Sequence, residues 1–228
     1  MFRKSSSIAS LASCGLLVFL TFTLLAGCQT TRRYWPAQTG QVLDAETGKP
    51  IQNAIVLANW QGVVSYSNTR CFHQVRDITD EQGRFHISAW ENQTSTAKSS
   101  YQNIHIYTHK YGYRRSEKTY RTKSYRKNIY YLERHKTNAI ERLKYLSHYI
   151  SIIGCGPHSG SKERLFPVLK SIYREVLDIA TTDDVGEQEL VRQIQDSISL
   201  YWRDKEPLWT PAQFDKYFEE HVKGELLR

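Results

Sequence analysis

The apolar residues of this chain change period near Arg134, and no other feature limits the fold as much. Between Gly40 and Arg134 they alternate or gather in short runs between turn residues. Gln41–Asp44, Ala54–Ala58, Val63–Tyr66, Phe72–Ile78, Arg84–Ala89 and Asn128–Leu132 each read as a strand. So does the stretch where Ile104, Ile106 and Thr108 share one face and His105, Tyr107 and His109 the other, because strand side chains alternate with period two. Thr47-Gly48-Lys49-Pro50 supplies one turn, and Thr79-Asp80-Glu81-Gln82-Gly83 reads as a hairpin opened by Asp and closed by Gly. Many short strands separated by turn signals predict an antiparallel β-sandwich.

After Arg134 the spacing becomes three and four. Ala139, Ile140, Leu143, Leu146, Ile150 and Ile153 form one helical stripe, ended by Gly154, Gly156 and Pro157. Leu165, Phe166, Leu169, Ile172, Tyr173, Val176 and Leu177 form a second, with Pro167 near its first turn. Asp184 with Glu187 reads as the cap of a third helix carrying Leu190, Val191, Ile194 and Ile198. Thr210-Pro211-Ala212-Gln213 starts a last one, with Phe214, Tyr217, Phe218 and Val222. Single helices of this size are marginal in water. The stripes therefore predict a small C-terminal helical bundle, packed on the sandwich or on itself. A protein-docking surface centred on Trp202 and Trp209 is the competing use of these faces. The fold class is α+β, with residues 39–134 as the sandwich and 135–228 as the helical domain.

The first residues carry a different signal. Arg3 and Lys4 precede an apolar run through Leu16, Leu17, Val18, Phe19, Leu20, Phe22, Leu24 and Leu25. Its dense part is shorter than the roughly 20 residues a stable span needs, and the pattern reads as a secretory signal peptide over residues 1–27. The run ends in Leu25-Ala26-Gly27-Cys28, which resembles the lipobox of bacterial lipoproteins. The resemblance implies cleavage between Gly27 and Cys28, with a diacylglyceryl group on the Cys28 sulfur and acylation (palmitate, for example) of the new N-terminus. Several acyl chains anchor stably, at about 0.8 kcal/mol per buried CH₂. Gln29, where an Asp would imply inner-membrane retention, implies an outer-membrane address. The competing reading is an uncleaved anchor with a chance cysteine. Residues 28–38 read as a tether, in which Arg32 and Arg33 either favour anionic head groups by roughly 1 kcal/mol each or are simply solvated.

The four cysteines then divide. Cys14 leaves with the signal and Cys28 takes lipid. Cys71 and Cys155 remain as an even pair in an oxidising compartment, which predicts a disulfide worth about 4 kcal/mol by its loop length. Two separately buried thiols are the alternative.

Within the β-rich half, Gly40-Gln41-Val42-Leu43-Asp44, Thr47-Gly48-Lys49-Pro50-Ile51 and Ala54-Ile55-Val56 are followed by Thr79-Asp80, Gly83 and Phe85, then Tyr111-Gly112-Tyr113. In that order and spacing they resemble the carboxypeptidase regulatory-like domain. The resemblance implies a seven-stranded, transthyretin-like sandwich acting as a binding or structural module rather than a catalyst. No His is followed three residues later by Glu, and there is no H-E-x-x-H, G-x-S-x-G or Walker A sequence. Metal and cofactor are both expected to be none. His105 and His109 lie on one face of a strand but roughly 13 Å apart, at about 3.3 Å per residue. His73 and His86 flank the predicted hairpin and could pair across it, though ordinary strand positions explain them better. Cys71 with His73 makes a poor nucleophile pair, since the cysteine has a use in the disulfide.

Charge is concentrated in the middle. Of a formal +8, residues 98–136 hold eleven basic and two acidic groups, while residues 137–228 hold twelve and fifteen. Lys110, Arg114, Arg115, Lys118, Arg121, Lys123, Arg126 and Lys127 interleave with Tyr107, Tyr111, Tyr113, Tyr120, Tyr125, Tyr130 and Tyr131. A secreted chain makes nucleic acid the wrong partner. Lipopolysaccharide, anionic lipid or wall polymer would use the same charge pairing. The bland explanation is a solvated strand region in which tyrosines fit half-buried surface and cations blunt an edge. The sequence thus predicts a non-enzymatic, membrane-anchored envelope lipoprotein acting as a binding or structural module. Polyanion binding through residues 98–136 and an unrecognised envelope enzyme are the alternatives.

Overall fold

The computed structural model describes residues 33–65, 68–92, 102–155, 162–180 and 184–200. The signal region with Gly27 and Cys28, most of the tether, and the last expected helix with Trp202 and Trp209 lie outside them. The strands are β1 (Arg33–Trp35), β2 (Gln38–Asp44), β3 (Ile55–Ser65), β4 (Asn68–Ile78), β5 (Arg84–Ile87), β6 (Trp90–Asn92), β7 (Gln102–His109), β8 (Tyr113–Arg115) and β9 (Ile129–Arg134). The helices are α1 (Lys118–Arg121), α2 (Ala139–Ile153), α3 (Lys162–Ile179) and α4 (Val185–Ser199), with a 3₁₀ turn at Ser124–Lys127. Strands come first and long helices second, so the protein is mixed α+β.

β1 and β6 form a separate two-stranded ribbon. The remaining strands make a four-stranded sheet in the order β5-β2-β9-β8 and a three-stranded sheet in the order β4-β3-β7, in a sandwich-like arrangement. Inward residues of the first sheet are Val42, Phe85, Ile87, Tyr130 and Leu132; those of the second include Val56, Ala58, Trp60 and Ile106, all buried. Gly40 belongs to this packing by necessity. A Cβ there would come within 2.3 Å of the Phe85 ring and 2.4 Å of the Asn128 carbonyl oxygen.

Three strand expectations are corrected. The sandwich is not wholly antiparallel: β2 and β9 run parallel, with Gln41 opposite Ile129 and Leu43 opposite Tyr131. Other strands intervene before β9 returns beside β2, so nothing forces the two to reverse. Val63 does not start a new strand. β3 passes a bulge at Trp60/Gln61 and stays paired to β4 as far as Ser65. The Thr79–Gly83 turn has the expected chemistry, since Asp80 Oδ1 accepts from Gln82 N and Arg84 N and Gly83 sits at φ +69°. Yet β5 pairs with β2 rather than β4, so the turn is a corner where the chain changes sheet.

The helices cover the other face of the three-stranded sheet. Leu57 shares one buried core with Leu143, Leu146, Ile150 and Ile153 of α2, Leu165, Leu169, Ile172 and Val176 of α3, and Ile194 and Ile198 of α4. Ile55 and Tyr107 pack against it. β3 is therefore buried on both faces. Asn138 Oδ1 caps α2 by accepting from Glu141 N at 2.9 Å. Asp184 caps α4 by accepting from Gly186 N and Glu187 N at 2.8 and 3.0 Å. Pro167 lies inside α3 rather than in its first turn, because the helix already begins at Lys162.

Two polar contacts fix the helical layer to the sheet. The carbonyl of Ile153, the last residue of α2, accepts from Asn59 Nδ2 at 2.8 Å and Gln74 Nε2 at 3.0 Å. Gln74 Nε2 also reaches Asn59 Oδ1 at 2.7 Å, and both amides are fully buried. Elsewhere Arg142 Nε donates to Glu175 Oε1 at 2.7 Å, joining α2 to α3, with both side chains only 3% exposed. Glu175 Oε1 also accepts from Gly112 N at 3.1 Å, which ties the β7–β8 turn to α3.

Removing one partner of a buried pair strands the other charge, at about 3–5 kcal/mol, whereas replacing both by apolar groups is close to neutral. Urea unfolding of Glu175→Ala is expected to show a loss of about 3 kcal/mol or more, most of which the double variant Arg142→Met/Glu175→Leu recovers. Equal losses in both would mean that the pair itself supplies the stability.

Candidate functional site

The basic, tyrosine-rich segment divides in two. Five of its eight cations from Lys110 to Lys127 have partners within the chain. Lys110 Nζ donates to the Gln52 carbonyl at 2.9 Å. Arg114 Nε pairs with Glu133 at 2.7 Å. The Arg115 guanidinium lies over the rings of Tyr120 at 4.8 Å and Tyr130 at 5.5 Å. Lys118 Nζ donates to the Ala45 carbonyl at 3.2 Å and sits 4.4 Å from the Tyr131 ring centre. Arg121 pairs with Glu117 across one turn of α1. The Arg114, Arg115 and Lys118 contacts tie β8 and α1 to β9 and to the end of β2, whereas Lys110 holds the β7–β8 turn to the Gln52 loop and Arg121–Glu117 is an exposed pair within one turn.

Tyr111 Oη donates to the Asp178 carboxylate of α3, and that bond, ahead of burial, pushes its pKa up to about 12. Burial pushes Tyr130 up to about 12 as well. Tyr111 is still 43% exposed, and Tyr120 and Tyr125, 55% and 39% exposed, form an adjacent outward pair with ring centres 6.4 Å apart.

Lys123, Arg126 and Lys127 are different. All three are exposed, and among the described residues none has an ion pair. The alternative of a solvated strand region does not hold throughout residues 98–136, for Lys118–Arg121 and Ser124–Lys127 form α1 and the 3₁₀ turn. Buried hydroxyls hold this excursion down. Thr119 Oγ1 accepts from Tyr131 N at 2.8 Å, and Ser124 Oγ donates to the Thr119 carbonyl at 3.2 Å. Asn128 closes it. Its Nδ2 donates to the Thr39 carbonyl at 3.0 Å, and its own carbonyl accepts from Gln41 N at 2.9 Å. Lys123 is held at φ +51°, a region that side chains other than Gly, Asn and Asp seldom adopt. The pattern of tyrosines and cations was visible in the sequence, but not which cations would be spent inside.

An open groove of about 620 Å³ runs beside Lys127, between the starts of β2 and β9 and the corner at Asp80. Its carboxylates already serve the backbone: Asp77 Oδ2 accepts from His86 N at 2.6 Å, and Asp80 fixes the corner turn.

The histidines do not assemble. His73 stacks on Trp90 at 4.7 Å and lies 5.1 Å from Trp60, whereas His86 is an exposed residue of β5, so the pair across the corner does not form. His105 and His109 share one face of strand β7, as a strand requires. Among the described residues no three His, Cys, Asp or Glu side chains are grouped to hold a metal. Cys71 and Cys155 are joined, with Cα atoms 5.0 Å apart, so Cys71 carries no thiol to work with His73. Sequence reasoning missed the buried polar group around His109, Arg142 and Glu175. The available signal was a charge at helical spacing on an apolar stripe, Arg142 four residues before Leu146 and Glu175 beside Val176. His109 Nε2 lies 2.9 Å from Ser171 Oγ, and its ring meets that of Tyr149 at 5.7 Å. Burial first, then Arg142 and Lys110, lower its pKa from 6.5 to about 3.

No family model matches the chain, and no curated protein matches it. Among solved structures, a 9R-lipoxygenase from Cyanothece PCC8801 is matched at 14% identity over 90% of this chain and 32% of the lipoxygenase, with a TM-score of 0.27. Among the described residues no helix is long and apolar enough to cross a membrane.

The buried His109 gives a pH signature. The unfolded chain takes up a proton near pH 6.5 that the folded state refuses until about 3, so this residue makes stability fall as pH drops below about 6.5. The limiting slope is about 1.4 kcal/mol per pH unit for one proton. Urea unfolding between pH 7 and 5 is expected to show this fall, and His109→Gln to reduce its slope to the part that His135, lowered by burial and Arg142 to about 4, contributes. An unchanged slope in the variant would show that His109 is not its source.

Proposed function

We propose that the protein is a lipid-anchored lipoprotein of the bacterial envelope, probing no chemistry of its own and serving as a binding or structural module. The observation that carries this reading is the use of its cysteines. Cys71 and Cys155 are bonded to each other, a pairing that suits an oxidising compartment. Cys28 is then the unpaired cysteine of the mature chain, and it stands in Leu25-Ala26-Gly27-Cys28 directly after an apolar run. The anchor sits on the outer membrane in this reading, as Gln29 implies.

The folded part is a carboxypeptidase regulatory-like domain buttressed by a helical bundle. Support comes from the four plus three strands of the two facing sheets and from the corner turn at Asp80 and Gly83. The helices add a second buried layer, and the outward basic turn is left for a partner. Of the eight cations from Lys110 to Lys127, a polyanion-binding role narrows to Lys123, Arg126 and Lys127, since the other five have partners within the chain.

The test is Cys28→Ala in the native cell envelope. The parent chain is expected to lose residues 1–27 and gain the mass of a diacylglyceryl group and a further acyl chain. The variant is expected to keep its leader and to incorporate no labelled palmitate. If both chains are processed alike and partition alike, the lipoprotein reading is wrong.

A further inference from the structure

We propose that the turn carrying Lys123, Arg126 and Lys127, flanked by Tyr120 and Tyr125, is the face that this protein lays against anionic phospholipid head groups of the bilayer holding Cys28. The proposal rests on the lipid-anchor reading and adds an orientation to it.

β2 and β9 are parallel neighbours, so both strands start at the same end of the four-stranded sheet. The chain coming from Cys28 enters β2 at Gln38, and the basic turn immediately precedes β9. Asn128 bonds the two starts together through the Thr39 carbonyl. The basic turn therefore stands where the tether enters the fold. Ten residues, Gln29 to Gln38, separate it from the lipidated position, a reach of at most about 35 Å. A turn at the far end of β2, such as the one holding Lys49, lies at the opposite end of that strand from Gln38.

Three exposed cations lie within five residues and have no ion pair among the described residues. Two tyrosines beside them present half-exposed rings. Tyrosine rings with a polar tip favour the head-group level of a bilayer, and Lys or Arg near an anionic surface gains about 1 kcal/mol, or about fivefold in partition, per residue. Arg32 and Arg33 in the tether add charge of the same sign. A lone lipid-linked domain would otherwise tumble over its anchor. Three fixed cations bias it toward one orientation by roughly a hundredfold.

The turn is also preorganised. Thr119, Ser124 and Asn128 hold the turn by side-chain hydrogen bonds, and Lys123 keeps a left-handed backbone. Such conformations are unfavourable in a free chain and persist where the surroundings enforce them. The cations are thus displayed on a rigid base rather than on a free loop.

The experiment uses the lipidated full-length protein reconstituted in vesicles of phosphatidylethanolamine and phosphatidylcholine, with or without phosphatidylglycerol. Lysine acetylation is read residue by residue by mass spectrometry. Lys123 and Lys127 are expected to react at least about fivefold more slowly on the phosphatidylglycerol vesicles, to recover in high salt, and to match the vesicle-free rate on neutral vesicles. Lys49 and Lys144, both exposed, serve as controls and should not change. Equal labelling of Lys123 and Lys127 on both vesicles, in protein that floats with them, overturns the proposal and leaves the anchor intact. Protection by soluble wall polymer or lipopolysaccharide but not by phosphatidylglycerol overturns it in favour of those polyanions. A chain whose Cys28 carries no lipid mass removes the anchor reading instead, whatever the labelling shows.

Discussion

Ile153 ends α2 with a carbonyl that no helical N–H can reach, and two buried amides from the sheet satisfy it. Asn59 and Gln74 face each other across β3 and β4 and are bonded to one another as well. Without them, the oxygen would be buried and unpaired, and each amide would lose its partner, at about 1–3 kcal/mol for each stranded group. The geometry allows one docking position. Two residues further on, Cys155 is bonded to Cys71 on the same strand as Gln74. Arg164 of α3 donates to the Gln74 carbonyl, so the next helix is tied to the same point.

That junction decides how the surfaces are shared. The helices take the outer face of the three-stranded sheet, where Leu57 joins their core. β3, buried on both sides, becomes the centre of the protein. The four-stranded sheet keeps its outer side, with α1 and the 3₁₀ turn pinned over β9 by Thr119. Charge follows the same division. Arg142 and Glu175 are buried between helices, Arg115 and Lys118 lie on tyrosine rings, and Lys123, Arg126 and Lys127 are left to solvent.

Much of this was legible in the sequence, for identifiable reasons. The α2 stripe is a long periodic signal, and its span from Ala139 to Ile153 follows the apolar residues closely. Asp184 announces α4 because a cap is local chemistry. Asp80 and Gly83 announce a turn for the same reason. What the turn connects is not local: whether β5 pairs back on β4 or crosses to β2 depends on contacts far along the chain. The parallel β2–β9 pair was hidden for that reason too. In residues 98–136 the alternation of tyrosine and cation resembled strand surface, while Thr119 and Ser124, whose buried hydroxyls hold the non-strand excursion, carry no strong pattern. Asn59 and Gln74 looked like ordinary polar residues in strands, since their partner is a backbone carbonyl some eighty or ninety residues later.

The central claim is that the sheet and helices stand as one cooperative unit, joined at Ile153 and leaving the opposite turn free to act. Native-state hydrogen exchange tests it directly. Amides of β3 from Ile55 to Asn59 and of α2 from Leu143 to Ile150 should exchange with the same free energy and the same denaturant dependence in the oxidised protein. If α2 opens separately, at a much lower free energy than β3, the helices are an independent domain and the account fails.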